Sequence, residues 1–299
     1  MFQDSSLAEQ SFNHVPSTEK LQTLLVSKSS PKGNLLSKST DTLANYQPDW
    51  GASYFNLEKS SIFQQRSELE KAAILKLINL GIHTEIYWLE KLGVIYTSRM
   101  ASLAKNKQEK IIYTVFQGEE VHHLAKVIAY LPHHPSKLHS TSVYNLLKNV
   151  VEKEDKAVML FIFQVVFKGW IVSHYQSLAN HCINKDLAQT LANLVPEESR
   201  QHITGITLGK EMHFSHHHQG IIIEVLTQLL EIMQSHIPLI SSFETVLGYL
   251  SYSQKMQLWQ QLGIPQRNHQ ILSKFRSLIA KETSGKIERV LATRGAFDV

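Results

Sequence analysis

The chain has a single cysteine, Cys182, among 299 residues, which excludes a disulfide bond within the chain. We expect Cys182 to be a small buried side chain in a protein of a reducing compartment. Glycine and proline are also few, at 13 and 8 residues, which excludes collagen-like and low-complexity chains. Several enzyme motifs are missing: the glycine-rich phosphate loop, the Gly-x-Ser-x-Gly elbow, the Cys-x-x-Cys pair and the His-Glu-x-x-His sequence. Nucleotide hydrolysis, serine hydrolysis, structural zinc and zincin proteolysis therefore lack support.

An excess of charge of one sign is absent too. The 30 Lys and Arg residues oppose 26 Asp and Glu residues, and no basic run is long enough to bind nucleic acid or a membrane surface. The first fifteen residues contain Asp4 and Glu9 and no apolar core, so we expect no secretory signal. The longest apolar run, residues 157–167, is about half of a membrane span. We expect a cytoplasmic protein with no nucleic-acid or membrane partner.

Apolar residues three and four apart dominate the chain after about residue 60, while strand-type alternation is nearly absent. The pattern predicts an all-α fold. The predicted helices cover 67–103, 109–131, 143–179, 186 to beyond Pro196, 218–238, 252–262 and 266–284. Pro196 is expected to kink or interrupt the fourth helix.

The helical pattern also divides the chain. Residues 1–55 are polar and are predicted to form a disordered or loosely docked arm. Residues 56–205 are predicted to form the helical body. Residues 206–299 are predicted to form a C-terminal helical extension that caps this body or forms an interface, as in a homodimer.

The body contains a repeat with an offset of 78 residues. Identical residues at this offset fall at the turn and at the acidic pair of two predicted antiparallel helical hairpins. A two-fold repeat of helical hairpins builds a four-helix bundle. The matched pairs are Val94 with Val172, Ala101 with Ala179, Asn106-Lys107 with Asn184-Lys185, and Glu119-Glu120 with Glu197-Glu198.

The acidic pair of the first hairpin has metal-chelating spacing. Glu120 and His123 lie three residues apart, about one helical turn, so they share a face. Folding the hairpin about its turn at 105–107 places Glu90 opposite them. Glu85 is the competing position, but placing it opposite Glu120 and His123 would put the turn of the hairpin inside the first helix. A Glu from one helix with Glu-x-x-His from its partner, present twice, is the ligand set of carboxylate-bridged di-iron bundles.

On these residues the chain, over about 62–205, resembles the ferritin-like superfamily, which includes ferritins, rubrerythrins, fatty-acid desaturases and arylamine oxygenases. More closely, it is similar to a bacterial ferritin-like group in which Glu-Gly-Trp is followed by His-Tyr and then by an acidic pair with Glu-x-x-His. The corresponding segments here are Lys168-Gly169-Trp170, His174-Tyr175, Leu178-Ala179 and Glu197-Glu198-Ser199-Arg200-Gln201-His202.

The resemblance implies an all-α fold: a ferritin-like four-helix bundle of two repeated hairpins, with additional C-terminal helices. It also implies a non-haem iron or manganese site with oxidase-like or oxygenase-like dioxygen chemistry on an unknown small-molecule substrate. The expected ligands are Glu90, Glu120, His123, Glu198 and His202.

The second half of the repeat departs from this ligand set at two positions. Lys168 stands where the repeat of Glu90 predicts a carboxylate, and Gln201 stands where the repeat of His123 predicts an imidazole. His202 is an alternative ligand if the helix is distorted near Pro196, which is why it is included above.

The departures leave the number of metal ions open. Three carboxylates and one buried lysine would carry two negative charges, which one divalent ion would balance. A two-ion, a one-ion and an empty site all remain open, and so does a solvent-facing Lys168. Two functions follow: a non-haem di-iron or mono-metal oxidoreductase, or a metal-free scaffold that keeps the bundle and acts through a protein partner.

Other candidates are weaker. His213 and His217 lie four residues apart and could share a metal, although clustered histidines near a helix break more often cap or face solvent. His133 and His134 lie at a proline turn. Four aromatic residues flank the predicted site on the repeat and are candidates for lining a pocket, although such stripes usually belong to the core: Trp88, Tyr96, Trp170 and Tyr175.

Overall fold

The computed structural model describes residues 46–131, 138–235, 237–283 and 285–298. These residues form helices and connecting turns without a β-strand, as the apolar periodicity predicts. Most of the predicted arm and the His133-His134 turn lie outside the described residues. The long helices are α1 (Glu68–Ser102), α2 (Lys107–Ile128), α3 (Ser142–Lys153), α4 (Lys156–His181), α5 (Lys185–Gly209), α6 (His216–Gln234), α7 (Ile237–Leu247), α8 (Tyr252–Gln261), α9 (Ile264–Glu282) and α10 (Lys286–Thr293). They are preceded by the short 3-10 helices Ala52–Phe55 and Leu57–Lys59 and by a one-turn α-helix, Ser61–Gln64.

Two helical hairpins, α1–α2 and α4–α5, carry the repeat, and α1 packs along α2 as α4 packs along α5. Both second helices begin at an asparagine cap. The side chain of Asn106 accepts a hydrogen bond from the N–H of Glu109, and that of Asn184 accepts from the N–H groups of Asp186 and Leu187. An asparagine at this position satisfies N–H groups that the helix itself leaves unpaired. The matching Asn-Lys pairs therefore mark equivalent helix starts.

Helix α4 is the central helix of the described chain. Its residues Leu160–Phe167 have π-helical hydrogen bonding, and all eight side chains are buried. It is the only helix in the described ranges that is long and apolar enough to cross a membrane, and 78% of its apolar window is buried inside the protein. Burial against other helices accounts for its even apolar composition.

The single helix predicted over 143–179 is wrong in one respect, because the chain breaks between α3 and α4. Helix α3 ends at Lys153, and Asp155 caps α4 by accepting from the N–H groups of Ala157 and Val158 at 2.9 and 3.1 Å. Asp155 therefore starts a new helix within the predicted one.

The prediction that the fourth helix continues past Pro196 is confirmed, because α5 runs from Lys185 to Gly209. Pro196 therefore does not interrupt the helix, which was one of the two effects expected of it. Residues 46–55, which the sequence assigns to the arm, are described, and Trp50 is fully buried. Its backbone N–H donates to Asn79 Oδ1 at 2.8 Å, and its indole N–H donates to the Leu178 carbonyl at 2.9 Å.

One buried amide joins the four helices of the two hairpins. The hydroxyls of Tyr96 on α1 and Tyr113 on α2 donate to Gln164 Oε1 on α4, at 2.7 and 2.9 Å. The Gln164 Nε2 group donates to the carbonyl of Gln201 on α5 at 2.7 Å. Each buried polar group in this network has a partner, which fixes how the two hairpins face one another.

Candidate metal centre

Four ligand-type side chains from three helices meet in the core. Glu90 lies on α1, Glu120 and His123 lie on α2, and Glu198 lies on α5; none is more than 2% exposed. Each offers one ligand atom, and these four atoms all lie within 4.8 Å of one another. The structure thus brings together four of the five predicted ligands in a buried Glu/His cluster that could hold a metal ion.

The ring of His123 is held between carboxylates on both of its nitrogens. Its Nε2 lies 2.6 Å from Glu197 Oε2, while its Nδ1 lies 3.3 Å from both Glu90 Oε2 and Glu198 Oε1. A carboxylate on one ring nitrogen holds the proton there, which leaves the lone pair of the other nitrogen free for a metal. The half-exposed Glu197 therefore directs Nδ1 into the cluster.

Lys168 points into the cluster and not toward solvent. Its ammonium lies 2.7 Å from Glu120 Oε1 and 2.6 Å from Glu198 Oε2, and the residue is only 2% exposed. Such short charge-assisted hydrogen bonds on two buried carboxylates leave the lysine little freedom to move. The sequence leaves an inward and a solvent-facing Lys168 open, and the structure adopts the inward orientation.

The remaining ligand atoms of the cluster have no hydrogen-bond donor. Glu90 Oε2, Glu120 Oε2, Glu198 Oε1 and His123 Nδ1 are all buried without a partner. A buried polar atom that lacks a partner loses the free energy of its hydration, so proteins rarely leave several in one place. A cation among them would satisfy all four, and a set of carboxylate oxygens with one imidazole suits a divalent transition metal.

The pKa values of three groups in the cluster reflect both burial and the charges of their neighbours. Burial lowers the pKa of His123, but the adjacent carboxylates of Glu198 and Glu90 outweigh burial and raise it to about 11. Burial raises the pKa of Glu198, but Lys168 and His123 together lower it to about 2. The pKa of Glu120 is about 7, because burial outweighs the nearby Lys168 ammonium. A proton on His123 and a metal at the same nitrogen are competing ways to neutralise these carboxylates.

Two further residues shape the cluster. The hydroxyl of Tyr175 on α4 donates to Glu90 Oε1, so one oxygen of Glu90 is held and the other is left free. Gly93 on α1 lies against the other side: a Cβ there would be 1.8 Å from Glu120 Oε2. The absence of a side chain at Gly93 is therefore what makes room for the carboxylate of Glu120.

The remaining predicted residues lie outside the four-atom group. His202 Nδ1 is 3.2 Å from the backbone oxygen of Gln164. The side-chain amide of Gln201 donates to Glu119 Oε2 at 3.3 Å. Glu85, the competitor of Glu90, lies 3.7 Å from His174 Nε2. None of these side chains belongs to the buried Glu/His group.

The histidine-rich segment that leads into α6 contacts the residue that caps α4. His218 lies 2.6 Å from Asp155 at the start of α4, and its Nδ1 accepts from the N–H of Ser215 at 3.3 Å. His213 and His217 belong to no metal-type group among the described residues.

The four aromatic residues have separate contacts. Tyr175 touches the cluster through Glu90, and Tyr96 touches the Gln164 network instead. Trp170 stacks on His174 with ring centroids 4.5 Å apart. Trp88 donates to the His139 carbonyl at 2.8 Å.

The contact of Glu197 with His123 is not predicted from the sequence. The available signal was its place in the acidic pair that repeats at Glu119-Glu120, but the spacing alone did not say that it would reach across to α2.

No family model, curated protein or solved structure matches this chain. The described residues define a class by their fold and site: they are helical, with no strand, and contain a buried Glu/His cluster that could hold a metal ion.

Proposed function

We propose that this chain is a ferritin-like protein with a non-haem iron or manganese centre held by Glu90, Glu120, His123 and Glu198. We propose further that the centre performs oxidase-like or oxygenase-like chemistry with dioxygen on a small-molecule substrate. One observation carries the metal assignment: these residues present four buried ligand-type atoms without hydrogen-bond partners in one place.

The ferritin-like assignment is supported by the origin of the ligands. Glu90 comes from the first helix of one hairpin, Glu120 and His123 come from its second helix, and Glu198 comes from the equivalent helix of the other hairpin. Bundles that hold carboxylate-bridged metals supply ligands from facing helices in this manner. The equivalent caps at Asn106 and Asn184 support the same duplicated arrangement.

The ligand types are compatible with iron or manganese. Carboxylate oxygens suit manganese, imidazole suits iron, and the cluster contains no thiolate that would favour a softer metal. An iron or manganese ion bound here would supply one-electron redox chemistry with dioxygen.

Three residues around the ligands hold protons in fixed positions. Glu197 keeps a proton on His123 Nε2, Tyr175 donates its hydroxyl proton to Glu90, and Lys168 donates to Glu120 and Glu198. The eight buried side chains of Leu160–Phe167 include seven apolar ones next to Lys168 and help to exclude water from the core.

A metal-free scaffold is the second candidate, and Lys168 is the observation that favours it. A lysine ammonium and a protonated His123 together neutralise much of the negative charge of three buried carboxylates. A bundle balanced in this way could keep its fold without metal and act through a protein partner.

The first experiment is the metal content of the protein purified without a histidine tag, beside the isosteric variant Glu120→Gln. We expect iron or manganese in the wild type and its loss in Glu120→Gln. Glu119→Gln is the matched control, because Glu119 lies on the same turn of α2 but contacts Arg200 and Gln201.

A folded wild type that contains no metal, and that binds neither Fe²⁺ nor Mn²⁺ in an anaerobic titration, would contradict the metal centre and favour the scaffold. Oxygen uptake after addition of Fe²⁺ tests the redox part separately. Metal binding without oxygen uptake would restrict the function to metal binding.

A further inference from the structure

We infer that the centre holds one metal ion and that the ammonium of Lys168 takes the place of a second ion. This inference rests on the proposed function, since it concerns how many ions the proposed centre binds. Three observations support it. Glu120 and Glu198 each bind Lys168 through one oxygen and leave the other oxygen free, the buried charges balance with one divalent ion, and the second half of the repeat supplies no second set of ligands within the described ranges.

Glu120 and Glu198 are each divided between two sides of the cluster. One oxygen of each carboxylate binds the Lys168 ammonium, at 2.7 and 2.6 Å. The other oxygen of each has no partner, and that of Glu198 lies 3.3 Å from His123 Nδ1. A carboxylate that bridges two metal ions uses its two oxygens in this divided way. Here one of the two cations is already present as Lys168.

The charge of the cluster leaves room for one divalent ion. Glu90, Glu120 and Glu198 carry three negative charges when ionised, and the buried ammonium reduces the total to two. One divalent ion with a neutral His123 brings these buried groups to zero. Glu197, on the far nitrogen of His123, is not counted because its side chain is 35% exposed and its charge is solvated. A second divalent ion would leave an excess of two positive charges in the core and would repel the ammonium, which buried sites do not tolerate without further anions.

The second half of the repeat also lacks a second set of ligands among the described residues. Gln201, the counterpart of His123, donates to Glu119 and not into the cluster. His202 lies against the Gln164 backbone oxygen. Lys168 itself is held inside, because it is 2% exposed and its ammonium binds Glu120 and Glu198 at 2.7 and 2.6 Å.

The test is the number of Mn²⁺ ions bound per chain by the full-length wild type and by Lys168→Glu. The substitution removes the internal cation and restores a carboxylate at the position that repeats Glu90. We expect saturation at about one ion in the wild type and about two ions in Lys168→Glu, as in two-ion carboxylate bundles. Electron paramagnetic resonance gives an independent readout, because an isolated Mn²⁺ ion and a coupled pair have different spectra.

Lys185→Glu is the matched control, since it makes the same change of charge on the exposed surface at the start of α5 and should leave the stoichiometry at one. Two ions in the wild type, or one ion in a folded Lys168→Glu, would overturn the inference while leaving the metal centre in place. The absence of bound metal in all three proteins would instead overturn the proposed function.

A second variant covers the case in which four buried carboxylates prevent Lys168→Glu from folding. Lys168→Met keeps a long unbranched side chain but removes the ammonium, so the first ion no longer meets a fixed positive charge. We expect at least tenfold tighter binding of Mn²⁺ by folded Lys168→Met than by the wild type. Equal or weaker binding would overturn the role of Lys168 as a substitute cation.

Discussion

At the scale of single residues, His123 is the side chain whose surroundings decide what the cluster can bind. Its Nε2 faces Glu197 at 2.6 Å, and its Nδ1 faces two buried carboxylates at 3.3 Å. A ring with a proton-accepting carboxylate on one nitrogen is oriented and made more basic at the other. Glu197 is thus a positioning residue for a ligand that it does not itself supply.

We predict that Glu197→Gln weakens binding of Mn²⁺ or Fe²⁺ by about 10- to 100-fold, the usual effect of removing such an outer partner. The amide keeps the size of the side chain but no longer offers an anionic acceptor to His123 Nε2. A competition titration against a chelator of known affinity measures the change. Glu119→Gln should bind as the wild type does, and an unchanged affinity in Glu197→Gln would show that His123 is oriented without it.

The convergence of Glu90, Glu120 and His123 could be predicted from the sequence because it depends on local rules. Residues three apart share a helix face, and a short turn brings opposite positions of a hairpin together. The direction of Lys168 could not be predicted, because a lysine near a helix surface can equally extend to solvent. Its orientation is decided by carboxylates that are 48 and 30 residues away in the chain.

At the scale of helices, the close approach of α1 and α2 beside the cluster depends on Gly93. A methyl group there would lie 1.8 Å from Glu120 Oε2 and 2.6 Å from its carboxyl carbon. The carboxylate is fully buried and bonded to Lys168, so it cannot swing away without breaking that ion pair.

We therefore predict that Gly93→Ala destabilises the protein by about 1–3 kcal/mol, the usual cost of overpacking a core, and weakens metal binding as well. Urea denaturation and a metal titration measure the two effects. Gly118→Ala on α2 is the control, because a Cβ there meets nothing within 4 Å. It should gain about 0.5–1 kcal/mol from the better helix former. A Gly93→Ala protein as stable as the wild type would show that α1 and α2 can separate freely.

The positions of the helices could largely be predicted, but their interruptions could not. The first helix is predicted over 67–103 and is found at Glu68–Ser102, since its apolar period is long and its ends carry clear polar breaks. The break before α4 is not predicted, because the apolar residues three and four apart continue with the same spacing on both sides of Asp155. Helix α7 (Ile237–Leu247) was missed because it follows α6 without a glycine or a long polar segment. The π-helical segment has no sequence signature of its own.

At the scale of the whole molecule, the cluster exists only when three helices are in place. Its ligands come from α1, α2 and α5, and the Gln164 network links the same helices to α4. An unfolded chain separates Glu90 from Glu198 by more than a hundred residues and offers no such site. Metal binding is therefore coupled to folding, and a metal that binds the native state must stabilise it.

This coupling gives a prediction that separates the metal centre from the metal-free scaffold. A ligand present at about 100 times its dissociation constant stabilises the native state by about 2.7 kcal/mol. For a chain of this size that free energy raises Tm by about 4 °C. Thermal unfolding with and without Mn²⁺, followed by addition of a chelator, measures the shift and its reversal.

Glu119→Gln should show the full shift and Glu120→Gln should show little of it, because only the second loses a ligand. An equal shift in Glu120→Gln would place the stabilising ion elsewhere on the protein. No shift in any of the three would mean that Lys168 and protons already satisfy the cluster, which is the behaviour of the scaffold.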